Sequence, residues 1–107
     1  MTEKLTFSML TPDQQRSDYD WMNIGFDDIR IGKVRGMIRD ETLTICSIMI
    51  FPEFEGRGFA RKTIKMFMKS FDTIIADRVR HKAIGFWEKM GFQVDDNGQY
   101  IWKRNGH

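Results

Sequence analysis

A change of hydrophobic period in the middle of the chain constrains the fold most. Residues 42–50 are nearly continuous in apolar and β-branched character, which is typical of a central buried strand. After a loop that contains Gly56 and Gly58, apolar side chains recur at helical spacing from Ala60 to Phe71. A buried strand therefore runs through a glycine loop into a helix, and this order predicts a mixed α/β fold.

The rest of the chain predicts a sheet built mostly from successive strands. Alternating or β-rich segments predict strands over 4–9, 21–26, 29–39, 42–50, 73–76, 92–94 and 100–103. Helical spacing and capping residues predict a short polar helix from Thr11 to near Asp20, a helix over 60–71, and a helix over 83–90 closed by Gly91. Residues 21–50 predict an antiparallel meander, and residues 96–98 a hairpin turn.

Composition limits the class of protein. The chain has 107 residues, of which 41% are hydrophobic and 30% charged, so we expect one globular domain over 1–107. The net charge of +2 and the solvated helix face of Lys62, Lys65 and Lys69 do not favour nucleic-acid binding. No apolar run has the length of a membrane helix. One cysteine and two histidines cannot form a clustered metal site, and we expect a reducing, cytoplasmic location.

The glycine loop is the segment where the sequence predicts chemistry. A strand, loop and helix in this order point unpaired backbone amides and the positive end of the helix dipole at one spot, which suits phosphate. Gly56 and Gly58 allow a close approach to the backbone, and Arg57 and Arg61 add positive charge. Taken alone, two glycines one residue apart are better explained by a turn that requires glycine.

Two motifs resemble the GCN5-related N-acetyltransferase (GNAT) superfamily. Residues 55–60, Glu-Gly-Arg-Gly-Phe-Ala, resemble its acetyl-CoA motif: Arg or Gln, two residues, Gly, one residue, then Gly or Ala at a helix start. Residues 83–92 resemble its second motif, a helix with an aromatic pair followed by Lys-x-Gly-Phe. The resemblance covers residues 42–103 and implies the GNAT fold, a mixed, mostly antiparallel sheet with flanking helices.

The resemblance also implies an activity, the acetyl-CoA-dependent acetylation of an amine by direct attack. The pantetheine arm would lie where the strand ending at Ile50 splays from strand 73–76, and a strand amide would polarise the thioester carbonyl. The acceptor would be a small molecule, a protein lysine or a protein N-terminus. The implied coenzyme-binding residues are Ile48, Met49 and Ile50 on the strand, and Gly56, Arg57, Gly58, Phe59, Ala60 and Arg61 on the loop and helix.

Three positions depart from the family pattern. Glu55 stands where the family has Arg or Gln, and Arg80 where many members have Asn. Trp87 stands where many members have a Tyr that is proposed to reprotonate the leaving thiolate, and an indole cannot deliver that proton at neutral pH. The departures leave an alternative function open, a non-catalytic acetyl-CoA-binding module that regulates a protein partner.

Asp77 and His81 are the candidates for the catalytic base. Asp77 lies two residues beyond Ile75, where some relatives place a carboxylate, and histidine exchanges protons readily near neutral pH. Purely structural roles for both, or a water relay to a distant carboxylate, are the alternatives. Cys46 is expected to be a small core residue. The shortened N-terminal region leaves the acceptor site either open or completed by another chain, as a homodimer would do.

Overall fold

The computed structural model describes residues 5–9 and 20–104. The polar helix that the sequence predicts from Thr11 lies outside these ranges. Within them, the strands are β1 Leu5–Met9, β2 Asp20–Phe26, β3 Ile29–Arg39, β4 Thr42–Ile50, β5 Thr73–Ala76, β6 Gln93–Val94 and β7 Tyr100–Lys103. The helices are α1 Phe59–Ser70 and α2 Ile84–Lys89, with short 3₁₀ turns at Pro52–Phe54 and His81–Ala83. The bounds of the predicted strands are confirmed to within one residue.

The strands form one sheet in the order β1-β2-β3-β4-β5-β7-β6. Neighbouring strands are antiparallel except β4 and β5, which are parallel. A parallel pair needs a crossover connection, and α1 provides it, packing against β1, β4 and β5. The predicted meander over 21–50 and the mixed, mostly antiparallel sheet are therefore confirmed. No helix of the described residues is long and apolar enough to cross a membrane.

The apolar side of α1 forms the centre of the core. Ile64 and Phe67 are fully buried, and Phe59 and Phe71 nearly so. The ring of Phe7 on β1 meets Phe67 edge-on at 5.2 Å between centroids. The predicted helix face is confirmed in this way, and the lysines on the opposite side of α1 are exposed. The helix is held by packing across β1, β4 and β5.

The short helix α2 is fixed by its C-terminal end and by one large side chain. Phe92 N–H donates to the Trp87 carbonyl and Gly91 N–H to the Glu88 carbonyl, both at 3.0 Å, while Gly91 has φ 92°. This is a Schellman motif, in which glycine takes the left-handed conformation without a Cβ penalty. Trp87 is 5% exposed and packs edge-on against Phe86 and Phe92, with centroids 5.1 and 4.8 Å away. Because a helix of only six residues is not stable by itself in water, α2 depends on this packing for its stability.

The hairpin between β6 and β7 is closed by one aspartate. Asp95 Oδ1 accepts hydrogen bonds from the amides of Asn97 and Gln99, each at 2.9 Å. The Asp95 amide donates to the Gln99 carbonyl at 2.8 Å, and Gly98 has φ 79°. The predicted hairpin turn is confirmed, and these bonds fix the position of Gln99 at the start of β7.

Candidate functional site

The parallel strands β4 and β5 separate halfway along β4. Thr42–Ile45 pairs with Thr73–Ala76, and the Asp77 amide adds one further bond to the Ile45 carbonyl at 2.9 Å. β4 continues through residues 46–50, where it pairs with β3 but with no described residue of β5. The separation that the resemblance implies is therefore present, and we call the space it leaves the β4–β5 opening.

A β-bulge lies at the point where the strands separate. Ser47 is opposite Arg35 and Ile45 is opposite Gly36, so Cys46 is the extra residue on β4. A bulge increases the local twist and redirects side chains. The interpretation of Cys46 as a buried core residue was wrong, because Cys46 is half-buried and is one of the residues that line the cavity described below.

Backbone groups of β4 point into the opening. The Phe51 amide donates to the Ile31 carbonyl on β3 at 2.8 Å. Since backbone direction alternates along a strand, the groups of Met49 also point toward β3, and those of Ile48 and Ile50 point away from it. The last residues of β4 therefore present backbone hydrogen-bonding groups that β5 does not use.

The opening leads into a cavity of about 450 Å³. Its walls come from β4, the end of β5, the segment that follows β5, and Trp87 of α2. Arg35 of β3, Glu55 beyond the end of β4, and Ala83 complete the lining. The charged residues among the described lining are Arg35, Arg78, Arg80, Glu55 and Asp77. Three arginines against two carboxylates give this lining a net positive charge, which favours an anionic ligand. Arg80 and Glu55, two of the departures from the family pattern, both lie in this wall.

The glycine loop presents open backbone amides at the start of α1. Gly56 and Gly58 have φ of 80° and 78°, in the left-handed region. A Cβ built at either position meets no described atom within 4 Å, so the backbone there is accessible. No described side chain caps α1, and Lys62 is the first of its residues to bond back, to the Gly58 carbonyl at 3.0 Å. The amides of residues 59–61 are therefore the open donors of this helix end.

Aromatic rings support cations beside this loop. Phe59 is 6% exposed, with its ring 4.9 Å from Phe26 and 6.3 Å from Phe54, so only its backbone is available to a ligand. The Arg57 guanidinium lies 6.0 Å from the Phe54 ring centroid, and the Lys62 ammonium 5.5 Å from that of Phe59. Both cations are held near the helix end by cation–π contacts.

The structure separates the two predicted base candidates. Asp77 lines the cavity, and its Oδ1 accepts a hydrogen bond from Gln99 Nε2 at 3.1 Å. His81 is exposed and is not one of the residues that line this cavity. No local sequence pattern indicates Gln99 as a site residue, because it reaches Asp77 from a hairpin 22 residues further along the chain.

The surroundings of Cys46 shift the pKa of its thiol. Burial raises the pKa of its thiol above the ordinary value, and the neighbouring Asp77 carboxylate raises it further. Arg35 and Arg78 act in the opposite direction, with smaller effect. The thiol is therefore protonated at neutral pH and is a weak nucleophile there.

A second cavity, of about 340 Å³, lies at the other end of the sheet. Its lining comes from the end of α2 and from the β6–β7 hairpin, including Val94, Ile101 and Trp102. It contains no part of the glycine loop and no residue of β4. It is therefore separate from the site that the sequence predicts.

The sequence and the fold of this chain are similar to those of known proteins. A sequence model of the acetyltransferase (GNAT) family matches residues 3–92. An uncharacterised N-acetyltransferase of Oceanobacillus iheyensis is 36% identical over 50 residues, which cover 47% of this chain and 31% of that protein. The aligned part of the chain thus spans about a third of that curated relative's length.

Solved structures share the fold. The Bacillus subtilis N-acetyltransferase YlbP, in complex with coenzyme A, superposes with a TM-score of 0.60 at 21% identity, over 79% of this chain and 68% of that one. YhhK of Escherichia coli, bound to coenzyme A, gives a TM-score of 0.69 at 15% identity, over 94% and 98% of the two chains. At these identities the structures establish the fold, and the family match covers most of the sequence. The chain belongs to the acetyltransferase (GNAT) family.

Proposed function

We propose that this protein binds acetyl-CoA in the β4–β5 opening and transfers the acetyl group to an amine. The observation that carries the proposal is the opening itself, where Ile48 and Ile50 present backbone groups that β5 does not use. An extended pantetheine arm can add to β4 there as a strand would. Glu55 lines the cavity, and residues 56–61 follow it in the chain without lining the cavity themselves. The open amides of residues 59–61 suit a pyrophosphate that extends beyond the opening.

Charge around the loop supports this placement. Arg57 and Lys62 are held beside the helix end, and Arg61 adds a third cation. Glu55 brings a carboxylate to the same wall and opposes the phosphates, but its exposure lets water screen that repulsion. Coenzyme A is the ligand in the YlbP and YhhK structures, which share this fold.

The transfer needs no covalent link to the protein. The acceptor nitrogen forms a bond to the acetyl carbon, and the carbon–sulfur bond breaks. An ammonium acceptor loses two protons overall, of which one ends on the coenzyme thiol and the other in solvent. A β4 amide that faces the opening polarises the carbonyl, and Asp77 accepts the proton that makes the amine nucleophilic.

Asp77 is therefore the base candidate that the geometry favours over His81. We expect Asp77→Asn to lower kcat at least tenfold, since a positioned base contributes roughly 10²–10⁴-fold. The affinity for coenzyme A should hardly change. His81→Gln is the matched comparison, and we expect it to change kcat by less than about twofold because His81 lies outside the cavity wall. A larger loss in His81→Gln than in Asp77→Asn would reverse the assignment.

A second candidate function is acetyl-CoA binding at the same site without acetyl transfer. Trp87 is buried at the position where many family members have the Tyr that is proposed as the acid, and Glu55 lies in the cavity wall. Both fit an acetyl-CoA-binding module that regulates a protein partner. A thiolate leaving group needs little acid assistance, which is why we place catalysis first.

Turnover separates the two functions. Purified protein is incubated with acetyl-CoA and a panel of amines, lysine peptides and N-terminal peptides, and thiol release is followed together with the acetyl mass increment on each acceptor. An enzyme releases thiol only when one acceptor gains an acetyl group. Saturable acetyl-CoA binding without release across the panel would favour the regulatory module. The identity of the acceptor, a cytoplasmic location and a homodimer stay predictions.

A further inference from the structure

We propose that Gln99 is a positioning residue that orients the Asp77 carboxylate toward the acceptor amine. The inference rests on the proposed acetyl transfer and extends it to a residue outside both sequence motifs. Gln99 Nε2 donates to Asp77 Oδ1 at 3.1 Å, and this bond is partly buried. The Asp77 amide is held independently by the Ile45 carbonyl at 2.9 Å. Backbone and side chain of Asp77 are thus each fixed at the point where β4 and β5 separate.

The register of the sheet places the two side chains together. Ala76 of β5 pairs with Tyr100 of β7, so the next pair outward brings Asp77 opposite Gln99. Gln99 is itself fixed by two bonds to Asp95, at 2.9 and 2.8 Å. The β6–β7 hairpin therefore holds Gln99 rigidly, and Gln99 in turn supports the Asp77 side chain, which lies at the end of β5.

The chemistry of the contact suits a base. A neutral amide donor fixes one carboxylate oxygen and leaves Oδ2 available to receive a proton. Arg78 Nε lies 4.0 Å from Oδ2 on a side chain that is 81% exposed, so solvent weakens this ion pair. Gln99 thus orients the carboxylate without neutralising its charge.

A double-mutant cycle tests the inference. Gln99→Met keeps the length of the side chain and removes the donor, and Gln99→Leu is the second variant if the first folds poorly. Gln93→Met on β6 of the same hairpin is the matched control. Each is measured for melting temperature, coenzyme A affinity, kcat and KM, alone and in an Asp77→Asn background.

We expect Gln99→Met to lower kcat about tenfold, with KM for acetyl-CoA, coenzyme affinity and melting temperature near those of Gln93→Met. In the Asp77→Asn background the same change should cost less than about twofold, because the residue acts through Asp77. Equal losses in both backgrounds, or a loss matched by Gln93→Met, would overturn the positioning role and leave acetyl transfer standing. Coenzyme binding without turnover would overturn the positioning role together with catalysis, and no coenzyme binding would overturn the proposed function as a whole.

Discussion

At the scale of single residues, Cys46 gives a direct chemical report on the cavity. It is the only cysteine of the chain, and it is one of the residues that line the cavity beside the β4–β5 opening. Its raised pKa means that the fold favours the protonated thiol. The stabilisation is complete below the ordinary thiol pKa and is lost as the pH rises through the folded-state value.

We expect iodoacetamide to label Cys46 slowly at neutral pH in the folded protein and faster in urea, where the thiol titrates at its ordinary value. The folded-state rate should rise steeply in the alkaline range. Saturating acetyl-CoA, which has no free thiol to consume the reagent, should slow labelling further because the ligand would cover this wall. The measurement is the mass of the intact chain against time and pH. Labelling that is as fast in the folded as in the unfolded protein, and is unaffected by acetyl-CoA, would contradict this placement.

Gly58 tests the phosphate loop, and Gly98 is its control. Both have φ near 78–79°, and a Cβ at either meets no described atom within 4 Å. Valine at each position therefore carries a similar strain, on the order of 1–2 kcal/mol or more. We expect Gly58→Val to abolish coenzyme A binding in calorimetry, while Gly98→Val binds as the parent protein does. If both variants keep parental affinity, the pyrophosphate does not lie on this loop.

At the scale of helices and strands, most of the fold was predictable because local patterns and tertiary demands agree. β4 is apolar since it lies in the middle of the sheet, and α1 has one apolar side because it packs on one face. The bulge at Cys46 was not predictable in this way. It arises from how β3 and β4 pair, and the nearly continuous apolar run over Thr42–Ile50 gives no sign of an extra residue.

Gly36 lies beside that bulge, and its substitution tests the strand pairing. A Cβ there would collide with the Thr44 carbonyl oxygen, which cannot move without opening the β3–β4 ladder. We expect Gly36→Ala to lower the free energy of unfolding by about 1–3 kcal/mol. Gly85→Ala on exposed α2, where a Cβ has open space, should raise it by roughly 0.5–1 kcal/mol. Urea denaturation measures both, and equal effects of the same sign would contradict the account.

At the scale of the whole molecule, the candidate site gathers parts from distant stretches of chain. The position of the glycine loop could be predicted, because two glycines that allow positive φ lie directly before the start of a helix. Asp77 could be nominated as a base but not chosen over His81, because the choice depends on which side chain faces the cavity. Arg35 and Gln99 carry no local signal, since only the order of the strands in the sheet brings them to the site.

We propose that acetyl-CoA binds in the β4–β5 opening with its pyrophosphate on the start of α1. The most direct measurement is a titration of ¹⁵N-labelled protein with acetyl-CoA, followed by amide chemical shifts, with NAD as the competing dinucleotide. We expect saturable shifts that are largest at Ile48, Ile50 and residues 59–61, and weaker binding of NAD. Shifts confined to the second cavity at the β6–β7 hairpin, or no saturable shift at all, would contradict it.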